Sequence, residues 1–186
     1  MAFSIDDLRA NLNLGGARPT LFDVLITNKI DGSADQKLQF TCKAAQLPAA
    51  TIGVVEVPYF GRKVKLAGDK TFAEWTVTII NDEDFVVRNA LEAWHQAINS
   101  HAPNLRENGA TSAPATYKSQ AQVRQYGKDG ALIKTYNFDG IWPSEVGTID
   151  LSWETNDTVE EFTCTFQYDF WTSGANVGGV PRILPA

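Results

Sequence analysis

Hydrophobic and polar residues alternate most regularly over 162–170. Phe162, Cys164, Phe166, Tyr168 and Phe170 fall on one face of an extended chain, and Thr163, Thr165, Gln167 and Asp169 on the other. This period of two predicts a single strand with an apolar and a polar side. Trp75, Val77 and Ile79 against Thr76, Thr78 and Ile80 predict another over 74–80. Segments 21–26 and 38–43 read as a hairpin around the turn-rich 28–36, which contains Asp31-Gly32. Only one stretch has a helical period. Val87, Leu91, Trp94 and Ile98 form its stripe, Asn81 or Asp82 its N-cap, and Glu83 and Asp84 lie where a helix dipole favours acids. Pro103 should end it by about Ser100.

The last third reads as strand and turn. Segments 117–126 and 132–138 flank Gly127-Lys128-Asp129-Gly130, a hairpin signal. Residues 141–143 read as a short strand interrupted by Pro143. Ile149, Leu151 and Trp153 alternate with polar residues before a turn at Asn156-Asp157. Segment 103–116 reads as a loop. Segment 48–70, with two prolines and three glycines, reads as a long functional arm and not as a compact hairpin. The expected architecture is mainly β: an antiparallel sandwich or barrel with one flanking helix. A domain at 18–171 is expected between polar arms at 1–17, with a helical turn over 5–12, and at 172–186. No internal repeat is visible.

Composition supports a single core. The 186 residues are 44% hydrophobic and include 10 Phe, 5 Trp and 5 Tyr. Acids outnumber bases 22 to 16, for a net charge of −6, which argues against a surface that grips nucleic acid or anionic lipid throughout. The first seven residues carry two acids and no base, unlike a secretory signal, and no apolar run approaches the roughly 18 residues of a membrane-spanning helix. Cys42 and Cys164 are too few and too far apart for a disulfide framework or zinc site, and read as reduced core thiols.

Catalytic signals are weak. The chain has no phosphate-binding glycine loop, no Gly-x-Ser-x-Gly elbow and no dinucleotide fingerprint. His95 and His101 are six residues apart, not the four that would place two ligands on one helical face. Asp150, Glu154, Asp157, Glu160 and Glu161 could in principle serve a hydrolase, but their setting among turn residues reads as a solvated face. Asn156-Asp157-Thr158 matches a glycosylation sequon and reads as a turn. The basic run Arg62, Lys63 and Lys65 reads as a solvated or interface loop, and the periodic aromatics Trp75, Phe162, Phe166 and Phe170 as core. No cofactor or metal is expected.

Several motifs occur in an order that resembles the tail tube proteins of contractile-tailed bacteriophages. They are Ala17-Arg18-Pro19-Thr20-Leu21-Phe22; Phe40-Thr41-Cys42-Lys43-Ala44-Ala45-Gln46-Leu47-Pro48; Gly61-Arg62-Lys63-Val64-Lys65-Leu66-Ala67-Gly68-Asp69-Lys70-Thr71-Phe72; and Glu74-Trp75-Thr76-Val77-Thr78-Ile79-Ile80-Asn81-Asp82-Glu83. Val123-Arg124-Gln125-Tyr126, Gly140-Ile141-Trp142-Pro143, Val146-Gly147 and Asp169-Phe170-Trp171 continue the series. The resemblance covers roughly 17–171. The segment near 28–36 is long for the family, and 172–186 extends past its usual end.

The resemblance implies a non-enzymatic virion protein, assembled in the host cytoplasm, whose six-membered rings stack inside a contractile sheath. It also implies fold kinship with type VI secretion tubes. Implied partners are further copies of the chain, the tail sheath protein, baseplate or tube-initiator and terminator proteins, a tape measure protein in the lumen, and genomic DNA that passes without tight binding; no membrane is implied. On this reading Tyr59, Phe60, Arg62, Lys63, Lys65, Asp69 and Lys70 make inter-ring contacts, Arg62 and Lys63 meeting acids on the next ring. Thr163, Thr165, Gln167 and Asp169 face the lumen. A tube of a phage-like injection particle, and less closely a ligand-binding β-sandwich module, are the alternatives.

Overall fold

The computed structural model describes residues 5–12, 16–105 and 113–175. After an exposed helix α1 (Ile5–Asn11), β1 (Phe22–Ile26) pairs antiparallel with β6 (Ser119–Tyr126), which pairs with the long strand β7 (Leu132–Val146). The second half of β7 pairs with β8 (Glu161–Gln167), followed by β5 (Trp75–Ile80) and β2 (Cys42–Ala45), while β9 (Phe170–Ala175) pairs with the first half of β7. One strand therefore serves two sheets, β1-β6-β7-β9 and β7-β8-β5-β2. The fold is mainly β and antiparallel as expected, and the sheet path does not close into a barrel.

The alternating patterns explain the packing. Val24, Ile26, Ala121, Val123 and Phe138 from one sheet meet Trp75, Val77, Ile79, Phe162, Cys164 and Phe166 from the other in a single buried cluster. Trp75 stacks on Phe138 across the layers, with ring centroids 4.5 Å apart. Helix α3 (Val86–Ile98) adds Val87, Ala90, Leu91 and Trp94 to this core. Burying apolar area at about 25 cal/mol per Å² makes this cluster the main stabilising term.

Helix α3 begins later than predicted. Asn81 is committed to the sheet, giving its backbone N–H to the Glu160 carbonyl (2.8 Å) and its amide to the Glu160 carboxylate (2.9 Å). Asp82 and Asp84 are drawn to Lys37, and Asp84 accepts the N–H of Val86. Phe85, at φ +53°, then turns the chain into the helix.

The expected hairpin over 21–43 does not form. A 3₁₀ turn (Gly32–Ala34), capped by Asp31, leads into a second helix, α2 (Asp35–Thr41), and β2 pairs with β5 instead. Leu38 enters the core, but Phe40, which made the segment look strand-like, faces solvent. The carboxylate of Asp35 receives the backbone N–H of Asn28 (3.0 Å), fixing where the helix starts.

Further expectations change. The 141–143 strand is the continuation of β7, and Pro143, which has no N–H to give, sits at a register shift against β8. The segment with Ile149, Leu151 and Trp153 is not a strand; Trp153 is 99% and Leu151 79% exposed. The alternation over 162–170 spans a corner: β8 stops at Gln167, and Phe170 opens β9 in the other sheet. Residues 172–175 continue β9, while 176–186, and 106–112 of the predicted 103–116 loop, lie outside the described residues. The loop's end forms the one-turn helix α4 (Pro114–Tyr117).

Candidate functional site

The segment read as an arm is a hairpin. Strands β3 (Ala50–Tyr59) and β4 (Arg62–Phe72) pair only with each other, as a separate two-stranded sheet. Phe60 and Gly61 form the turn at φ +43° and +78°. Positive φ at both central residues is the twist-compatible geometry of a tight hairpin, which glycine adopts freely and Phe60 only with strain. A register shift between Ile52 and Val54 bends the ribbon opposite Gly68 and Asp69. At its root, Trp171 donates its indole N–H to the Ala49 carbonyl (3.4 Å), and the rings of Phe72 and Tyr168 lie 6.0 Å apart.

The register gives the hairpin two unlike faces. Val55 opposite Leu66, Val57 opposite Val64, and Tyr59 opposite Arg62 make one face, apolar except for Arg62 at its tip. Glu56 opposite Lys65 and Pro58 opposite Lys63 make the other, where Lys63 pairs with Glu56 (2.6 Å). Every residue of β3 is exposed, and Phe60 at the tip is 90% exposed. The chain thus displays a valine-rich sheet face of the kind normally buried. Tyr59, Phe60, Arg62 and Lys63 cluster at the tip. Lys65 lies on the polar face, Asp69 at the bend, and Lys70 nearer the root, its ammonium 6.0 Å from the Phe72 ring.

The second set of predicted residues divides. Thr163, Thr165 and Gln167 occupy the outer face of β8; Thr165 meets Thr76 of β5 (3.3 Å), and Gln167 donates to Glu74 (3.4 Å). Asp169 lies past the end of β8, gives its N–H to the Asp139 carbonyl (3.0 Å), and binds Lys118 through both carboxylate oxygens (2.6 and 2.8 Å). The alternation that grouped all four continued across a corner that the sequence does not mark.

Among the described residues, the acids and histidines weighed for catalysis do not gather into one site. Asp150, Glu154 and Asp157 are exposed, whereas Glu160 and Glu161 are engaged by Asn81 and Lys43. His95 and His101 stand 6.3 Å apart between ring centroids, beside Arg88 and Glu92. Among the described residues no three His, Cys, Asp or Glu side chains gather to hold a metal. Cys42 and Cys164 are free thiols; burial pushes the Cys42 pKa up to about 12, and that of Cys164 upward as well. The prominent feature is therefore an uncovered surface, one that fits assembly.

The family model described as "Phage tail tube protein" matches residues 12–173. This chain belongs to that family. It is 37% identical over 169 residues to the tail tube protein gp19 of Enterobacteria phage T4, spanning 90% of this chain and 98% of that protein. Among solved structures, the tube-terminating cap of the anti-feeding prophage aligns at TM-score 0.63 and 16% identity, over 94% of this chain and 99% of its own. A chain of the sheath–tube complex of the PVC extracellular contractile injection system aligns at 0.58 and 14%, again over 94% and 99%. The fold of a tail tube protein, a structural component of contractile virion tails, is thus shared with injection devices.

Proposed function

We propose that the chain is a structural, non-enzymatic subunit of the inner tube of a contractile phage tail, assembled in the host cytoplasm. Six copies close into a ring, rings stack through the β3–β4 hairpins, and the resulting conduit passes DNA to the host. The observation that carries this reading is the hairpin's apolar face, Val55, Val57, Tyr59, Val64 and Leu66, which the subunit leaves uncovered. Further copies supply the missing cover and also pair the open edges of β1 and β2, which an isolated sheet would leave as templates for uncontrolled aggregation.

On this reading the sheath protein surrounds the tube, baseplate and terminator proteins hold its ends, and a tape measure protein fills the lumen before DNA does. The outer face of β8 and β5, with Thr163, Thr165, Gln167, Thr76 and Thr78, lines the bore. Six copies of a −6 chain carry −36 per ring. A hydroxyl- and amide-rich bore in so acidic a ring offers DNA, with about one charge per 1.7 Å, no cationic hold. Electron microscopy of the purified chain tests the assembly: stacked rings are expected, and a monodisperse monomer at high concentration would overturn it.

A further inference from the structure

Strand directions place two unlike surfaces at opposite ends of the sheet β7-β8-β5-β2. The β3–β4 hairpin leaves between the end of β2 and the start of β5, beside Gln167, where β8 finishes. The 147–160 loop joins the end of β7 to the start of β8, beside Ile80, where β5 finishes. That loop is tied down by the Gly147 N–H on the Thr163 carbonyl (2.7 Å), Arg88 on the Gly147 carbonyl (3.1 Å), Ile149 packed against the core, and Asn81 on Glu160. Between them it exposes Leu151, Trp153 and Val159. It carries four acids, Asp150, Glu154, Asp157 and Glu160, and no base. The hairpin strands carry four bases and two acids, in a chain that is acidic overall. Lys63 is spent on Glu56, while Arg62 and Lys65 have no ion pair among the described residues.

From this juxtaposition we infer that the acidic, tryptophan-bearing 147–160 loop is the receptor for the β3–β4 hairpin of the next copy. The inference rests on the tube reading above and names the surface that reading leaves open. The two surfaces match in chemistry, apolar to apolar and basic to acidic. Their positions at opposite ends of one sheet make the contact head-to-tail. A head-to-tail contact repeats without limit along an axis, whereas a two-fold contact would stop at a pair. The hairpin is long enough to reach: ten residues of extended chain span about 33 Å. Trp153, almost fully exposed, would be the anchor, since a few large aromatics, tryptophan among them, carry most of the energy of such contacts.

Charge reversal tests the pairing, with circular dichroism confirming folded subunits and microscopy scoring length. Asp150→Lys with Glu154→Lys and Asp157→Lys should shorten tubes at least about tenfold, as should Arg62→Glu with Lys65→Glu. Combining both sets in one chain should restore at least half the wild-type length. Full-length tubes from the loop variant, or no recovery in the combined variant, would overturn the receptor assignment alone. Failure of the wild-type chain to form rings or tubes would overturn the tube reading and the receptor with it.

Discussion

The side chain of Asn28 and the carbonyl of Ala90, 62 positions apart, are joined by a 3.0 Å hydrogen bond that ties the end of β1 to the middle of α3. Asn28 is almost fully buried, and its Oδ1 and backbone N–H are committed as well. Its Oδ1 accepts the N–H groups of Ile30 and Asp31, and its own N–H goes to Asp35. Asn28→Ala should therefore cost about 2 kcal/mol, because it removes the buried bond to Ala90 and leaves the part-buried N–H groups of Ile30 and Asp31 without their acceptor. The urea midpoint should fall with an unchanged slope.

Gly140 marks the point where β7 passes from one sheet to the other, at φ +68°. A Cβ there would lie 2.2 Å from the Asp169 carboxylate, which Lys118 holds in place. Gly140→Ala should destabilise the subunit by about 1–3 kcal/mol, from backbone strain plus displacement of that pair. Adding Asp169→Ala should recover part of the loss, a non-additivity that a double-mutant cycle on thermal unfolding would measure.

Lys37 bridges Asp82 and Asp84, and its hydrogen bonds hold both carboxyls below the usual carboxylate range. A carboxyl whose pKa is lowered by folding stabilises the fold above its unfolded pKa, and that stability is lost as pH falls through the folded value. The wild-type melting temperature should thus drop as pH falls below about 4, and Lys37→Met should flatten that part of the profile. An identical acid limb in the variant would assign the loss to other groups.

Burial raises both cysteine pKa values, so neither thiolate is populated near neutral pH. Native protein at pH 8 should react only slowly with a thiol-disulfide reagent, and two thiols should react promptly once the chain is unfolded. Rapid labelling of the native chain would show that the β2 edge opens.

If the outer face of β8 lines the bore, Thr163→Lys with Thr165→Lys should yield tubes that retain DNA at low salt and release it as salt rises, while wild-type tubes retain none. Retention indistinguishable from wild type would place that face elsewhere.

Much of this was legible in the residues. The alternation at 74–80 and the stripe of α3 appear where their periods put them, because there the apolar residues meet the core on which the period depends, and the hairpin expected around Gly127–Gly130 forms between β6 and β7. Helix α2 was hidden because it buries only Leu38 and is fixed by side-chain contacts with Asn28 and Asp23, which no helical period signals. The β3–β4 hairpin was masked by Pro58 and its glycines. Its alternation of Val55, Val57 and Tyr59, mirrored by Val64 and Leu66 around Phe60-Gly61, was nevertheless a readable signal. Conversely, the pattern at Ile149, Leu151 and Trp153 promised a strand, but only Ile149 reaches the core, and Leu151 and Trp153 face away from it. Periodicity records what a segment packs against, whether the partner lies in its own chain or not.

Because β7 runs unbroken through both layers, sliding one sheet past the other would tear backbone hydrogen bonds instead of merely shifting side chains. The domain is therefore stiff in shear, and a force applied at the hairpin root would pass through β5 and β8 into β7, and from there into both sheets at once.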